Sequence, residues 1–158
     1  MTEFKYGKIL GDIHKLYLSA ILNLCNRCPV DYVLSDHNNN VLAFDTFDIA
    51  DAENQDARPI FHSGRGYQYT SRVFHQKLKE DGMIQSMSRV AYCTDNGPME
   101  GFSGILKREM YYNRKFHTRK ELIQAITEYM DCYSNNRPQR RLGVLTPMEY
   151  HEKQLLAA

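Results

Sequence analysis

Two neighbouring stretches decide how this chain is read: Pro59–Ser71, PIFHSGRGYQYTS, and Cys93–Arg108, CTDNGPMEGFSGILKR. The second reads as a capped helix carrying a carboxylate. Asp95 or Asn96 is placed to accept hydrogen bonds from the orphan N–H groups of a first turn. Pro98 stands near the first helical position, where its missing N–H costs nothing. Met99, Phe102, Leu106 and Met110 recur at helical spacing and supply an apolar stripe. Glu100 and Lys107 are seven residues apart, two turns, so they share a different face. An acid and a base aligned above a core-facing helix are raw material for a site. Taken alone, the same pattern also describes an ordinary solvated helix face.

Outward from this pair, the chain divides into strands first and helices later. Thr2–Tyr6 reads as the tail of a strand, followed by a polar turn over Gly7–Asp12. Lys15–Leu24 and Val30–Leu34 are strand candidates rich in β-formers, with CNRCP as their hairpin connection. Three consecutive strands most simply make an antiparallel meander. Asn38–Asn40 offers caps for a helix over VLAFDTFDIADA. Ile60–His62 reads as a short buried strand ending at Ser63-Gly64. A helix over Ser71–Asp81 follows, with Phe74 and Leu78 one turn apart and Gly82 as its terminator. Ile84–Met87 is a further short strand. Beyond Tyr112 the pattern is helical. Thr118 with Glu121, and Thr146 with Glu149 and Pro147, are capping boxes. Leu122, Ile126, Tyr129 and Tyr133 line one face of the first of these helices. SNNRPQRRLGVL between them is polar, basic and aperiodic.

Length, composition and charge bound the class. The 158 residues, 42% of them hydrophobic, suit one domain with a sizeable core. No apolar run approaches the roughly 18 residues of a spanning helix, and the N-terminus lacks a signal-peptide pattern. A soluble, cytoplasmic protein is expected. The net charge is +1, but it is unevenly spread. Met1–Arg58 holds five Lys/Arg against nine Asp/Glu, and Pro59–Ala158 holds fifteen against ten. The basic excess sits with the carboxylate-bearing helix, as a phosphate-facing surface requires. Cys25-Asn-Arg-Cys28 is a C-x-x-C. A zinc site wants a second ligand pair and a redox site wants a helix N-terminus, and Pro29 with a following strand supplies neither. Reduced thiols at a strand connection are the expectation.

Four segments taken together, HSGRGYQYTS, SMSR, NGPMEGFSGILKRE and LGVLTPMEYHE, resemble the catalytic core of bacterial insertion-sequence transposases with a retroviral-integrase-type core. The group is the one often called IS-three. The resemblance runs over essentially the whole chain. It implies an α/β fold, a ribonuclease-H-like mixed sheet with flanking helices and a helical C-terminal extension. Residues 1–112 would be the integrase-like core with its first strand truncated, and 113–158 the helical extension of the same domain. The family carries Asp, Asp and Glu as metal ligands, the second Asp within HSDRG and the Glu within DNxPMExF. Thirty-five residues lie between positions 64 and 100 here, the family's own spacing. Glu100 matches the Glu, and Lys107 matches the base that follows it by seven.

Two positions depart from that pattern. Gly64 stands where the family has its second Asp. The family's first Asp lies in a strand reading roughly D-x-T-E-F, and the chain opens MTEFKY, so that Asp would fall just before Met1. Of the three ligands only Glu100 remains. The family chemistry is phosphoryl transfer by two divalent ions, Mg²⁺ in the family, about 4 Å apart and bridged by carboxylates. Glu100 by itself cannot hold two such ions, so the expectation is weak or no Mg²⁺ binding and no catalysis.

The resemblance further implies DNA as partner. Lys107, Arg108, Arg114, Lys115, Arg137, Arg140 and Arg141 are the candidate phosphate contacts. His62 is read as a packed histidine, and Tyr67 and Tyr69 as either base-stacking or core residues. The functional expectation is an integrase core of a bacterial insertion-sequence transposase, active in DNA integration in the family and inactive here. Two alternatives accompany it: a non-enzymatic DNA-binding or dominant-negative partner that forms homo- or hetero-oligomers with an intact transposase, and a C-x-x-C zinc or redox module.

Overall fold

The computed structural model describes residues 1–9 and 12–157. Five strands and six helices follow the order β-β-β-α-β-α-α-β-α-α-α. β1 (Thr2–Ile9), β2 (Asp12–Leu22) and β3 (Pro29–Ser35) form an antiparallel meander in the order β1-β2-β3. The first strand runs past the start of the expected turn, and Leu10 and Gly11 of that turn lie outside the described residues. Gly7 is not a turn residue but a bulge. The register slips between Tyr6 and Lys8, and Gly7 adopts φ +54°. Its N–H donates to the Phe116 carbonyl at 2.9 Å, tying the strand to the later helical region.

α1 (Asn40–Glu53) is capped by Asn39, whose side chain accepts from the Leu42 N–H. β4 (Ile60–Ser63) and β5 (Ile84–Met87) pair in parallel, Ile60 opposite Ile84 through Ser63 opposite Met87. Between them lie a one-turn helix, α2 (Tyr67–Thr70), that periodicity does not reveal, and α3 (Arg72–Glu80). α3 ends as expected, with Gly82 at φ +70° just beyond it. β4 is less buried than expected: Ile60 is 67% exposed.

α4 (Gly97–Leu106) passes into a π-helical turn over Lys107–Tyr111. α5 (Arg119–Asn135) and α6 (Pro147–Leu155) both start with complete capping boxes, at Thr118/Glu121 and Thr146/Glu149. The segment between them is not wholly irregular. Gln139 and Leu145 form an isolated antiparallel bridge around a short 3₁₀ turn.

Two buried clusters sit on opposite faces of β2. Phe4, Leu16 and Leu18 pack with Phe102, Leu106 and Met110 of the α4 region and with Leu122, Ile126 and Tyr133 of α5. Ile21 points the other way, into Phe47 of α1 and Phe74 and Leu78 of α3. That alternation is the period-2 geometry of a strand with helices on both faces. The expected mixed set of strands is therefore present, but as two ladders. No backbone pairing joins the meander to β4–β5 among the described residues.

Candidate functional site

β4 ends at Ser63, which places Gly64 at the mouth between this strand and the start of α4. A Cβ built on Gly64 would lie 3.8 Å from the Asn96 Nδ2 atom and meet nothing closer. Position 64 thus faces the residue one turn ahead of Glu100. Glu100 lies in the first turn of α4 and its side chain is exposed. The fold thus sets position 64 opposite the head of the helix that carries Glu100.

The local helix start is built differently from the expected cap. A 3₁₀ turn over Cys93–Asn96 leads into α4, and neither Asp95 nor Asn96 caps it through its side chain. Asp95 is instead clamped by Arg89. The guanidinium donates from Nε to Oδ2 and from Nη2 to Oδ1, both at 2.9 Å, and the Arg89 N–H adds a third bond at 3.0 Å. A bidentate charged pair plus a backbone donor outweighs a single helix N–H. Arg89 hydrogen bonding holds the Asp95 carboxyl well below the usual carboxylate range. The Arg89 guanidinium also covers the Tyr92 ring, 4.3 Å from its centroid.

Gly64 contributes no side chain, Asp95 is committed to Arg89, and Glu100 is left as one exposed carboxylate. Among the described residues no three His, Cys, Asp or Glu side chains converge. His62 is held by two hydroxyls, Nδ1 at 2.9 Å from Ser86 Oγ and Nε2 at 3.3 Å from Ser88 Oγ. It is a packed histidine, as expected. Tyr69 belongs to the aromatic cluster with Phe61 and Phe74, while Tyr67 is exposed.

The candidate DNA-facing cations divide into two groups. Arg108, Arg114, Lys115, Arg140 and Arg141 are exposed, and none takes part in the ion pairs found among the described residues. Lys107 is half-buried, its Nζ 5.8 Å from the Phe4 ring centroid. Arg137 is different. It grips Glu109 through Nε at 2.9 Å and Nη2 at 2.6 Å, and Tyr129 donates to the same carboxylate at 2.8 Å. The Arg137 hydrogen bonds hold the Glu109 carboxyl below the usual glutamate range, and burial followed by the Glu109 bond pushes the Tyr129 hydroxyl up. A phosphate at Arg137 would have to displace Glu109.

Sequence reasoning missed both the Arg89–Asp95 and the Arg137–Glu109 clamps. Their partners are six and twenty-eight residues apart, spacings that no secondary-structure period marks. The C-x-x-C lies in the β2–β3 turn. Cys25 is exposed, and Cys28 Sγ sits 3.6 Å from Ser134 Oγ and 3.7 Å from Met148 Sδ. Neither thiol is at a helix start.

With this geometry in place, comparison with known proteins is direct. The integrase core domain family matches residues 1–93, and a second integrase core domain family matches residues 100–155. The chain belongs to the integrase core family. It is similar to the transposase InsK of insertion sequence element IS150 from Escherichia coli K12, 39% identical over 140 residues, which cover 88% of this chain and 50% of that protein. A transposase-like protein of Haemophilus influenzae is 37% identical over 155 residues, covering 98% of this chain and 69% of the relative. Transposase InsF of IS3A from E. coli K12 is 29% identical over 142 residues, 89% of this chain and 49% of that protein. The chain thus spans about half the length of two of these three relatives. Among solved structures, the HTLV-2 integrase catalytic core domain in complex with magnesium superposes with TM-score 0.63 at 13% identity, covering 94% of this chain and 91% of that one. The integrase fold is therefore retained at a level where sequence identity has almost vanished. No helix among the described residues is long and apolar enough to cross a membrane.

Proposed function

We propose that this chain is the core of an insertion-sequence transposase that engages DNA through phosphate contacts but does not transfer strands with its own residues. We read residues 1–112 and 113–158 as one unit, since α5 shares the cluster that holds α4 to β1 and β2. The observation that carries the proposal is Gly64 opposite the head of α4. A lone exposed Glu100 in the first turn of that helix cannot bridge two divalent ions, and among the described residues no three His, Cys, Asp or Glu side chains converge to help it. What remains for nucleic acid is the set of exposed cations, Arg108, Arg114, Lys115, Arg140 and Arg141, with Lys107 at its inner edge. Phosphate contacts of this kind give binding that is sequence-tolerant and steeply salt-dependent.

The test is a pair of assays on the unaltered chain. Filter binding across a salt series should show affinity that falls linearly on a log–log scale. Incubation of supercoiled plasmid with Mg²⁺ or Mn²⁺ should produce no nicking. Metal-dependent nicking that Glu100→Gln abolishes would overturn the inactive assignment, and salt-independent binding would overturn the phosphate one. The magnesium-bound structural relative is a trimeric form. By that likeness we also propose that the chain associates with itself or with an intact transposase. Coexpression with an active relative should lower transposition if mixed assemblies form.

A further inference from the structure

Two sulfur atoms 120 residues apart in sequence meet beside the last turn of α5. Cys28 stands just ahead of β3, and its Sγ lies 3.7 Å from Met148 Sδ, near the start of α6. Ser134 Oγ of α5 is 3.6 Å from the same thiol. The thiol thus has two acceptors within reach and a single proton to offer them. All three residues are half-buried, so the cluster can be reached from solvent.

The backbone on each side holds its sulfur in place. The Cys28 N–H donates to Asn26 Oδ1 at 2.9 Å, and the Cys28 carbonyl accepts from the Asn23 N–H at 2.9 Å. Asn26 is itself buried. Met148 follows the fully buried Pro147, and the Thr146–Glu149 capping box fixes the turn that carries it. Ser134 adjoins Tyr133, whose ring packs edge-on against Phe102. Donor atoms presented by locked backbone on separate elements are preorganised for a ligand.

We propose that Cys28 and Met148 form a binding site for a soft monovalent cation of the copper(I) class, with Ser134 at its rim. A thiolate and a thioether are the ligands that select such ions over harder ones. With metal–sulfur bonds of about 2.3 Å, a sulfur separation of 3.7 Å subtends an angle of about 107° at the ion. That angle suits three- or four-coordination, with Ser134 or solvent in the next position. The ion replaces the Cys28 proton, which leaves to solvent, and no atom changes oxidation state. It bonds both sulfurs, where the proton can serve only one acceptor. Zinc is a poor fit, because it takes thiolate, imidazole and carboxylate ligands, and among the described residues no three such side chains converge. The bound ion ties the head of β3 to α6 across the end of α5. This inference is independent of DNA binding and of Glu100.

The probe is Ag⁺, a redox-inert ion of the same class, added in chloride-free buffer to chain carrying ¹³C-labelled methionine methyls. Cys25, Cys93 and Cys132 are first changed to Ser, which leaves Cys28 as the one thiol. The expected result is one ion bound per chain and a shift of the Met148 methyl signal, identified by its loss in Met148→Leu. Met148→Leu, close to volume-conserving, should keep the fold and weaken Ag⁺ binding at least about tenfold in competition with a chelating dye. Cys28→Ser should abolish binding. In the unaltered chain the same methyl shift should be complete by four equivalents, one per cysteine, so the test stands whether or not the serine variant folds. Ag⁺ binding that leaves the Met148 methyl unmoved, or that Met148→Leu does not weaken, would reduce the site to a single thiol and overturn the proposal. A shift of the same methyl by Zn²⁺ at equal concentration would overturn its assignment to a soft monovalent ion.

Discussion

The α4–α5 side of the molecule and the β4–β5 side both carry a buried apolar cluster, yet they differ in how fully their elements are covered. On the α4–α5 side, Phe4, Leu16, Leu106, Leu122 and Ile126 are fully buried, and α5 carries a complete capping box. On the β4–β5 side, the aromatic cluster of Phe47, Phe61 and Phe74 is well packed, but the paired Ile60 and Ile84 are 67% and 65% exposed. Helices satisfy their backbone within their own segment and need only one face covered. Strands borrow every hydrogen bond from a neighbour, so a short ladder with an unoccupied side stays open however apolar it is.

Four sets of substitutions break or sharpen this contrast, in decreasing order of effect. Leu106→Ala, at the centre of the closed side, should cost about 3 kcal/mol in urea unfolding. Ile60→Ala on the open ladder should change stability by less than about 0.5 kcal/mol. If the two losses were similar, the distinction between the sides would fail.

The next contrast is between two glycines. Gly7→Ala should destabilise by about 1–2 kcal/mol, because an L-residue is strained at φ +54° and its Cβ would lie 2.9 Å from the His117 carbonyl oxygen. Gly64→Asp meets nothing nearer than Asn96 at 3.8 Å and should leave stability within about 0.5 kcal/mol. Differential scanning calorimetry separates them. Gly64→Asp alone should still not nick DNA, since it adds only one carboxylate to Glu100.

A smaller effect is expected at the Glu109–Arg137 clamp, which is partly solvent-exposed. Glu109→Gln should cost about 1 kcal/mol or less at neutral pH. Arg137 depresses the folded-state value of Glu109, so the pair's stabilisation is full above the ordinary glutamate range. It fades as pH falls through the lower folded value. The stability difference between wild type and Glu109→Gln should therefore shrink in the acid range, as urea midpoints measured from pH 7 down to about pH 3 will show. A difference that grows on acidification would contradict the clamp.

Smallest in stability is the double change Arg140→Ala with Arg141→Ala, expected within about 0.5 kcal/mol of the parent. Its effect should appear only in DNA binding, where losing two phosphate contacts lowers the log–log salt slope by about 2. Arg137→Ala should leave that slope unchanged, because Glu109 already occupies the guanidinium. An unaltered slope in the double variant would remove Arg140 and Arg141 from the DNA-facing set.

Much of the architecture was legible from local signals. The capping boxes at Thr118 and Thr146, the glycine stop at Gly82 and the strand at Ile84–Met87 all stand where the sequence places them. Each depends on residues within a few positions of one another. The pairing of position 64 with the Glu100 helix was legible too, through the resemblance of the motifs at thirty-five residues' spacing.

Other features had no local signal. Asp95 has the residue type and position of a helix cap, and only the folded chain shows Arg89 taking it instead. Arg137 reads as a free cation in a basic loop until α4's π turn carries Glu109 to it. Hydrogen bonds that close over one turn are written in neighbouring residues. Competition for a carboxylate, and the division of strands into two ladders, arise only when distant segments share one space. The sequence by itself determined most of the strands and helices, their order and the family. The tertiary structure alone decided which charges are already paired and that the described strands pair as two separate ladders, because both depend on what stands opposite, not on what stands next.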